Sequence, residues 1–374
     1  MLKILHTGDI HLDSPFSGLD ARRSEIRRAE LRHTFSSLMT YVRDNSIDLL
    51  LIAGDFFDTG FVTKETVSIV LREFSRVPDC KIVISPGNHD PYTPDSVYAK
   101  VKFPENVYIF KSSEETSFSF PELGCEVYGY AFTGETMRKS PLRPAEKSEL
   151  FKILCAHAHL NSPLSPYCPI STAELEVCGF NYAALGHVHN APDAGVAGGC
   201  VYAYCGCLEG RGYDETGPKG AIYAEVSDDG KIKLQRLIFS SRKYEVRRLN
   251  VTGVASCAEI TEKIKALIRD ENMDDTTLLR VILEGAVPPT LVISPEVISR
   301  SIGEIFALDI KDVTSPVYGG EYLESDPTIR GEFYRRLLPM LTSADERERA
   351  VASLALRIGL AAMAGENISI STAN

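Results

Sequence analysis

The sequence predicts an α/β protein: two β-sheets between two helical layers (α/β/β/α), followed by a small α+β domain. Three observations carry this prediction. In the first hundred residues, apolar runs of strand length alternate with amphipathic helical stretches, the pattern of βαβ units around a buried sheet. From about residue 105, short apolar runs follow one another with few helices, as a second sheet packed on the first requires. Beyond Ser240–Arg242, strands and helices alternate again over a length suited to a small domain. The predicted domains are residues 1–240 and 241–374.

The first strand is Leu2 to Thr7, followed by a polar loop and a helix from about Arg22 to Arg43. IDLLLIAGD (Ile47–Asp55) is the second strand and its loop, Lys64–Arg76 the second helix, and CKIVISPGNHD (Cys80–Asp90) the third strand and its loop. NVYIF, CEVYGYAF, FKILCAH, YAALGHVH, GCVYAYCG, KGAIYAEV and KIKLQRLIF are the later strands. The C-terminal part reads as YEVRRLNV (strand), Glu259–Arg269 (helix), LLRVILEG (strand), a short helix, FALDIKDV (strand) and terminal helices. The last helix is expected to open on a capping box, Ser343 to Glu346. Its Val351–Leu354–Ile358–Ala361 stripe has the spacing of a packed face, with Leu356, Leu360 and Met363 on another side. Such a helix either lies deep in its own domain or is covered by another chain, which makes the C-terminal domain a candidate partner-binding or homodimer element.

Composition narrows the function classes. Of 374 residues, 44% are apolar and 24% charged, enough for a large core and inconsistent with disorder. No apolar run approaches the ~20 residues that span a bilayer. The start MLKILHTGDIHLDS lacks a signal-peptide pattern, so a cytoplasmic location without membrane contact is expected. The net charge of −11 excludes a strongly basic nucleic-acid-binding domain as a description of the whole chain. A local basic patch or bound cations remain compatible with it. The nine cysteines form no CxxC pair and mostly sit in apolar runs, reading as buried thiols.

The strand ends carry the chemistry. Strand one ends in GDIH (Asp9, His11), strand two in GDFFD (Asp55, Asp58), strand three in GNHD (Asn88, His89, Asp90), and later strands in CAHAH (His157, His159) and GHVH (His187, His189). Functional side chains of open α/β sheets gather outside the carboxyl ends of strands. Carboxylate with imidazole suits Mn, Fe, Zn or Co better than Ca or Mg. Two ions ~3.5–4 Å apart need a shared ligand, and Asp55 is central in the series. In GHVH the i and i+2 imidazoles point the same way in extended chain, so each can serve one of two adjacent ions. Glycines 8, 54, 87 and 186 leave the backbone free to turn and make room there. His6, mid-strand, reads as a core histidine, and His33 as a surface one.

These motifs, in order, resemble the calcineurin-like metallophosphoesterase superfamily, whose signature is D-x-H, G-D-x-x-D, G-N-H-[DE], H and G-H-x-H. The resemblance implies two divalent metal ions, most suitably Mn. Asp9, His11, Asp55 and His189 would hold one, and Asp55, Asn88, His157 and His187 the other. It implies that His89 stabilises charge or protonates the leaving oxygen, oriented by Asp58. An adjacent carboxylate raises a histidine's pKa and so favours the proton donor near neutral pH. Asp58 also suits a helix N-cap. In CAHAH, His157 occupies the superfamily's ligand place, with His159 a loop neighbour.

Within the superfamily, LHTGDIHLDSPFSGL resembles the SbcD-type DNA repair exonucleases, and more closely the YhaO-like group. YCGCLEGRGYDETGPKG (Tyr204–Gly220) resembles that group's Y-x-G-S-x-E-G-R-x-x-x-E-x-G-x-K-G stretch, with Cys207 in place of serine. The C-terminal α+β domain resembles their capping domain. The resemblance implies a two-metal DNA exonuclease in DNA repair, with an SbcC-like coiled-coil ATPase as partner. A polyanion approaching this acidic chain needs local positive charge, which Arg22, Arg23 and Arg27 supply after the GDIH loop, with Arg211 and Lys219 near GHVH. The alternative for the arginine helix is a solvated face balanced by Glu25 and Glu30. Alternative functions with the same metals are a phosphoprotein or small-molecule phosphomonoesterase, and a scaffold protein for a partner ATPase.

Overall fold

The computed structural model describes residues 1–58, 62–145, 149–190, 194–288, 291–316 and 320–363. The chain divides into two compact units. The first is Met1–Val246 with Met273–Arg280 and Glu304–Leu308, and the second is Arg247–Asn272, Val281–Gly303 and Asp309–Asn374. The expected cut near Ser240–Arg242 assigns those two inserted stretches to the second unit.

In chain order the first unit runs β1 (Leu2–Thr7), α1 (Ala21–Asp44), β2 (Leu49–Ile52), α2 (Lys64–Ser75), β3 (Lys81–Ile84), α3 (Val97–Lys100) and β4 (Val107–Ile109). It continues through β5 (Thr116–Phe120), β6 (Cys125–Gly129), β7 (Phe151–His157), the short pair β8 (His159–Leu160) and β9 (Pro169–Ile170), and α4 (Thr172–Cys178). It closes with β10 (Tyr182–Gly186), β11 (Gly195–Ala197), β12 (Cys200–Tyr204), β13 (Gly220–Val226) and β14 (Ile232–Ile238). One sheet has the order β14-β13-β1-β2-β3-β4 and the other β11-β12-β10-β7-β6-β5. The strands that end in the motifs are central and parallel in each sheet: β1-β2-β3 in one, β10-β7 in the other.

The apolar runs dictate the layers. Ile4, Leu49, Leu51 and Val83 on one sheet pack against Val127, Ile153, Tyr182 and Ala184 on the other. The opposite face of the first sheet (Leu5, Leu50, Ile52, Ile82) takes Leu31, Phe35, Leu38 and Val42 of α1 and Val70 and Phe74 of α2. Leu154, Ala156 and Leu185 of the second sheet take Leu175 of α4. Helix α1 starts where the Asp20 carboxylate accepts the Arg23 amide, and its apolar residues recur at helical spacing. Burying Phe35 completely is worth about 3–5 kcal/mol relative to alanine. All nine cysteines are free, and eight are buried.

His6 is a core residue, fully buried. Its Nε2–H donates to the Leu185 carbonyl (3.2 Å), and Nδ1 accepts the Tyr182 hydroxyl (2.9 Å). Burial, partly offset by the Leu185 carbonyl, pushes its pKa down from the usual 6.5 to about 3. The unfolded chain therefore takes up a proton that the folded chain refuses. The associated stability is intact above pH 6.5 and declines as pH falls from 6.5 to about 3, at about 1.4 kcal/mol per unit. Urea unfolding at pH 7 and pH 5 checks this. His6→Gln should flatten the pH slope by up to one proton, and identical slopes would refute the assignment.

The second unit contains most of a small sheet, β15 (Lys243–Asn250), β16 (Thr277–Glu284) and β18 (Ala307–Asp312), each strand beginning in the first unit and ending in the second. Between them come α5 (Cys257–Asp270), β17 (Ala286–Val287) and α6 (Pro295–Arg300). After them come β19 (Ser315–Pro316), α7 (Gly320–Ser325), α8 (Ile329–Leu341) and α9 (Glu346–Met363). Helix α9 differs from expectation in two respects. Asp345, whose carboxylate accepts the Arg347 amide, opens it rather than a Ser343–Glu346 capping box. Its packed side is Ala352–Leu356–Leu360, against Leu323, Tyr334, Leu338 and Leu341, whereas Val351 and Leu354 are exposed. The spacing 4-4 covers one face as well as 3-4-3 does, and the packing of α7 and α8 selects between them. No described helix is long and apolar enough to cross a membrane.

Candidate metal centre

The five motif segments meet at the carboxyl ends of the two sheets. Asp9, His11, Asp55 and His189 bring ligand atoms within 4.8 Å of one another. Asp9, His11, Asp55 and His157 are buried. Four of the motif residues turn inward through left-handed backbone: Asp9 (φ 47°), His11 (51°), Asp55 (49°) and His187 (101°). Each such residue costs about 1–3 kcal/mol and persists only where its surroundings hold it. Here the Asp9 and His11 amides donate to the Gly54 and Asp55 carbonyls at 2.9 Å, and the His187 amide donates to the Asp9 carboxylate at 2.9 Å. Gly87 leaves the space that Asp55 needs, since a Cβ there would collide with the Asp55 carboxylate.

The hydrogen-bond partners set the tautomers. His157 Nδ1–H donates to the Ala53 carbonyl (3.0 Å), so Nε2 bears a lone pair, yet it faces Asn88 Oδ1 at 3.0 Å and Asp55 Oδ2 at 3.4 Å. His189 Nδ1–H donates to Glu215 (2.6 Å), and its Nε2 faces Asp9 Oδ1 and His11 Nε2, both at 3.4 Å. Potential ligand atoms converge at two places, and a divalent cation would satisfy both. Asp55 Oδ2 belongs to both, lying 3.6 Å from His11 Nε2 and 3.4 Å from His157 Nε2. Among the described residues no Lys or Arg lies within 4 Å of the Asp9 or Asp55 carboxylate; their ionic neighbours are histidines. Buried carboxylates without fixed cations, beside His157 and His189 whose far nitrogens are already bonded, fit a divalent metal site.

The electrostatics show a demand for positive charge beside Asp9, which a proton on His189 meets and which metal binding would displace. Burial opposes charge on His189, but the Asp9 and Glu215 carboxylates more than offset it and push its pKa up to about 10. Burial and the neighbouring His157 push His187 down to about 4, leaving it neutral and able to ligate. The His187 ring lies against those of His157 and His159, with centroids 5.1 and 5.0 Å away. His159 lies in the short strand β8 rather than in a loop, and its Nδ1 is 3.1 Å from Ser165 Oγ.

His89 lies outside both convergences but close to them: its ring is 4.8 Å from that of His11, and with His11 and Asp58 it brings ligand atoms within 4.8 Å of one another. Its side chain is 40% exposed, and Nδ1–H donates to Asp58 (3.2 Å). That hydrogen bond, with burial opposing, raises its pKa. Asp58 also lies 3.7 Å from His11 Nδ1. Burial would raise the Asp58 pKa, but the nearby His11 and the hydrogen-bonded His89 hold it well below the usual carboxylate range.

Three participants carry roles that the motifs did not assign. Asp90 accepts the amides of Asp55, Phe56, Phe57 and Gly87 at 2.8–3.1 Å and the Tyr98 hydroxyl at 2.5 Å, tying the second motif loop to the third. Burial and the nearby Asp55 charge push its pKa up to about 7. Glu215 orients His189; burial opposes its charge, but His189 and Arg211 hold its pKa down at about 2. Arg211 donates to Glu215 (3.2 Å) and lies 3.9 Å from Asp58, between the two orienting carboxylates. The second half of the Tyr204–Gly220 stretch was the available signal for Glu215.

The expected basic patch needs correction. Arg27 is fully buried, paired with Glu209 and Glu30 at 2.7 Å each and donating to the Gly210 carbonyl, so it presents nothing to a phosphate. It shares the inward face of α1 with Leu31, Thr34 and Leu38, a spacing of 4-3-4. Arg23 is exposed but paired with Asp20 (2.7 Å), and its Nε donates to the Phe306 carbonyl. Arg22 is exposed.

Residues 2–191 match the model of the calcineurin-like phosphoesterase family. The chain is 27% identical over 312 residues to the uncharacterized metallophosphoesterase YhaO of Bacillus subtilis, covering 79% of this chain and 74% of that one. It is 26% identical over 312 residues to the DNA double-strand break repair protein Mre11 of Saccharolobus solfataricus, covering 76% of each. Over 91 residues it is 31% identical to the SbcD component of the nuclease SbcCD of Escherichia coli, 24% of this chain and 21% of that one.

Proposed function

Because this chain belongs to the calcineurin-like phosphoesterase family, we propose that it is a two-metal DNA nuclease of the exonuclease type, acting in DNA repair. The observation that carries the reading is the double convergence of potential ligand atoms on Asp55, with His89 and Asp58 beside it. Asp9, His11, Asp55 and His189 would hold one ion, and Asp55, Asn88, His157 and His187 would hold the other. Imidazole with carboxylate suits Mn, with Fe, Zn or Co as substitutes. When bound, a pair of divalent ions supplies a nucleophile at neutral pH and neutralises charge on the phosphate. The chain's own part is positioning and proton transfer. Asp58 keeps His89 in the orientation and protonation state to give a proton to the leaving oxygen. Arg211 balances the charge of Asp58 and Glu215.

The choice of DNA is supported by the names of the relatives, Mre11 and the nuclease SbcCD. An SbcC-like ATPase partner or a homodimer is assigned to the second unit, where Val351 and Leu354 leave an apolar strip exposed. A cytoplasmic location suits this role. The test is hydrolysis of labelled DNA and of a phosphopeptide by one Mn-loaded preparation, with metal content measured after desalting. Two ions per chain and preferential DNA cleavage are expected. Preferential phosphopeptide turnover would replace the nuclease by a phosphatase. Absence of turnover on both, with the metals bound, would favour the scaffold reading.

A further inference from the structure

Beside the metal centre lies a second cavity, of 340 Å³, which no part of the proposed chemistry uses. His189 forms one wall, and Asn190, Cys205, Cys207, Lys219 and Arg236 form the others. Among the described residues no Asp or Glu lines it. Lys219 is only 8% exposed, and its ammonium donates to one neutral acceptor, Asn190 Oδ1, at 2.6 Å. Its backbone amide donates to Ser240 Oγ at 3.0 Å, which fixes the base of the side chain. The Arg236 guanidinium donates to the backbone carbonyls of Cys205 (2.7 Å) and Tyr204 (3.2 Å). Among the described residues neither cation has a carboxylate within 4 Å.

This departs from the rule the rest of the unit follows. The other buried cations are paired, Arg27 with Glu209 and Arg211 with Glu215. A buried ammonium without a counter-ion is costly, because it gives up hydration and receives no opposite charge in return. One such buried cation, with the solvent-exposed Arg236 guanidinium beside it on the same cavity, in a chain of net charge −11, makes a place suited to an anion. The shared wall, His189, places that anion next to the metals and outside their ligand set.

We propose that the Lys219–Arg236 cavity is an anion subsite that holds a phosphate of the substrate strand adjacent to the one being cleaved. The proposal rests on the phosphodiester reading of the metal centre and deepens it, since only a substrate with more than one phosphate engages both places. It makes the enzyme prefer polynucleotides over isolated diesters.

The test compares full-length, Mn-loaded wild type with Lys219→Met, which keeps the apolar stem, and Lys219→Arg, which keeps the charge. The substrates are a DNA oligonucleotide and bis(p-nitrophenyl) phosphate, which has a single phosphate. Lys219→Met should raise the ratio of the two KM values about tenfold and reduce the salt slope of oligonucleotide binding by about 0.7–0.9. Lys219→Arg should restore most of both. Arg236→Gln is the second variant, with the same direction expected, should Lys219→Met not fold. An unchanged KM ratio in folded, metal-replete variants overturns the subsite, and so does a parallel loss on both substrates, which would mean that Lys219 acts through His189. If wild type cleaves the small diester but not DNA, the polynucleotide reading of the centre fails instead. Calorimetry with inorganic phosphate on metal-free protein then decides. Binding that Lys219→Met abolishes identifies a free-phosphate site, and no binding removes the anion site altogether.

Discussion

Replacing His89 with alanine is expected to lower phosphodiester hydrolysis by about 10²–10⁴-fold while metal content stays at the wild-type level. The side chain reaches Asp58 at 3.2 Å and takes no part in the two convergences of potential ligand atoms. Its loss removes the proton donor and leaves the ligand atoms in place. The backbone amide of His89, which donates to Asp55 Oδ1 at 2.9 Å, survives the substitution and keeps the third motif loop attached. His187→Ala should behave differently and lose one ion, because its ring packs among the ligands. Metal analysis beside single-turnover rates separates the two. If His89→Ala came back with an emptied site, the division between ligand and proton donor would be wrong. Asp58→Asn provides a finer check. It removes the carboxylate that raises the His89 pKa, so the alkaline limb of the rate profile should move to lower pH.

The largest effect on stability is expected from Arg27. Its guanidinium and the Glu209 carboxylate are both fully buried and 2.7 Å apart, and Glu209 also accepts the Thr34 hydroxyl and the Ser241 amide. Arg27→Met leaves that carboxylate buried without its cation, which costs about 3–5 kcal/mol. Urea unfolding measures the loss. The double variant Arg27→Met with Glu209→Gln should recover a substantial part, since it removes the stranded charge as well as the pair. A loss below about 1 kcal/mol, the range of exposed pairs, would mean that the pair is hydrated. Of the three arginines expected to meet DNA, Arg22 keeps an open approach from solvent. Its contribution to DNA binding reads out in the salt slope, and Arg27 variants should leave that slope unchanged in the folded fraction.

The metal-site candidates were visible in the sequence because each sits at a junction that local chemistry marks. An apolar run of four to six residues ends, a glycine follows in most cases, and a carboxylate, amide or imidazole comes next. The parallel order β1-β2-β3 and β7-β10 then puts every such junction on one edge. His6 and His33 were separable by the same logic, one inside a strand run and the other on a polar helix position. The arginine helix shows where that logic needed one more step. Arg27 lies four residues before Leu31, on the inward face, and charge alone suggested the opposite.

The sequence by itself determined the fold class and the family, and it named the candidate donors, since these follow from hydrophobic period and from residue types at fixed short spacings. The tertiary structure decided which charges have partners. Glu215 meets His189 across 26 positions, Asp90 meets the Asp55 amide across 35, and Arg27 meets Glu209 across 182. No local pattern encodes these distances along the chain. The pairings arise because sheet packing takes water away from all of these groups at once. Each buried charge must then find its counter-ion among whatever segments the fold brings alongside, and Lys219, enclosed without one, is left open to an anion from outside.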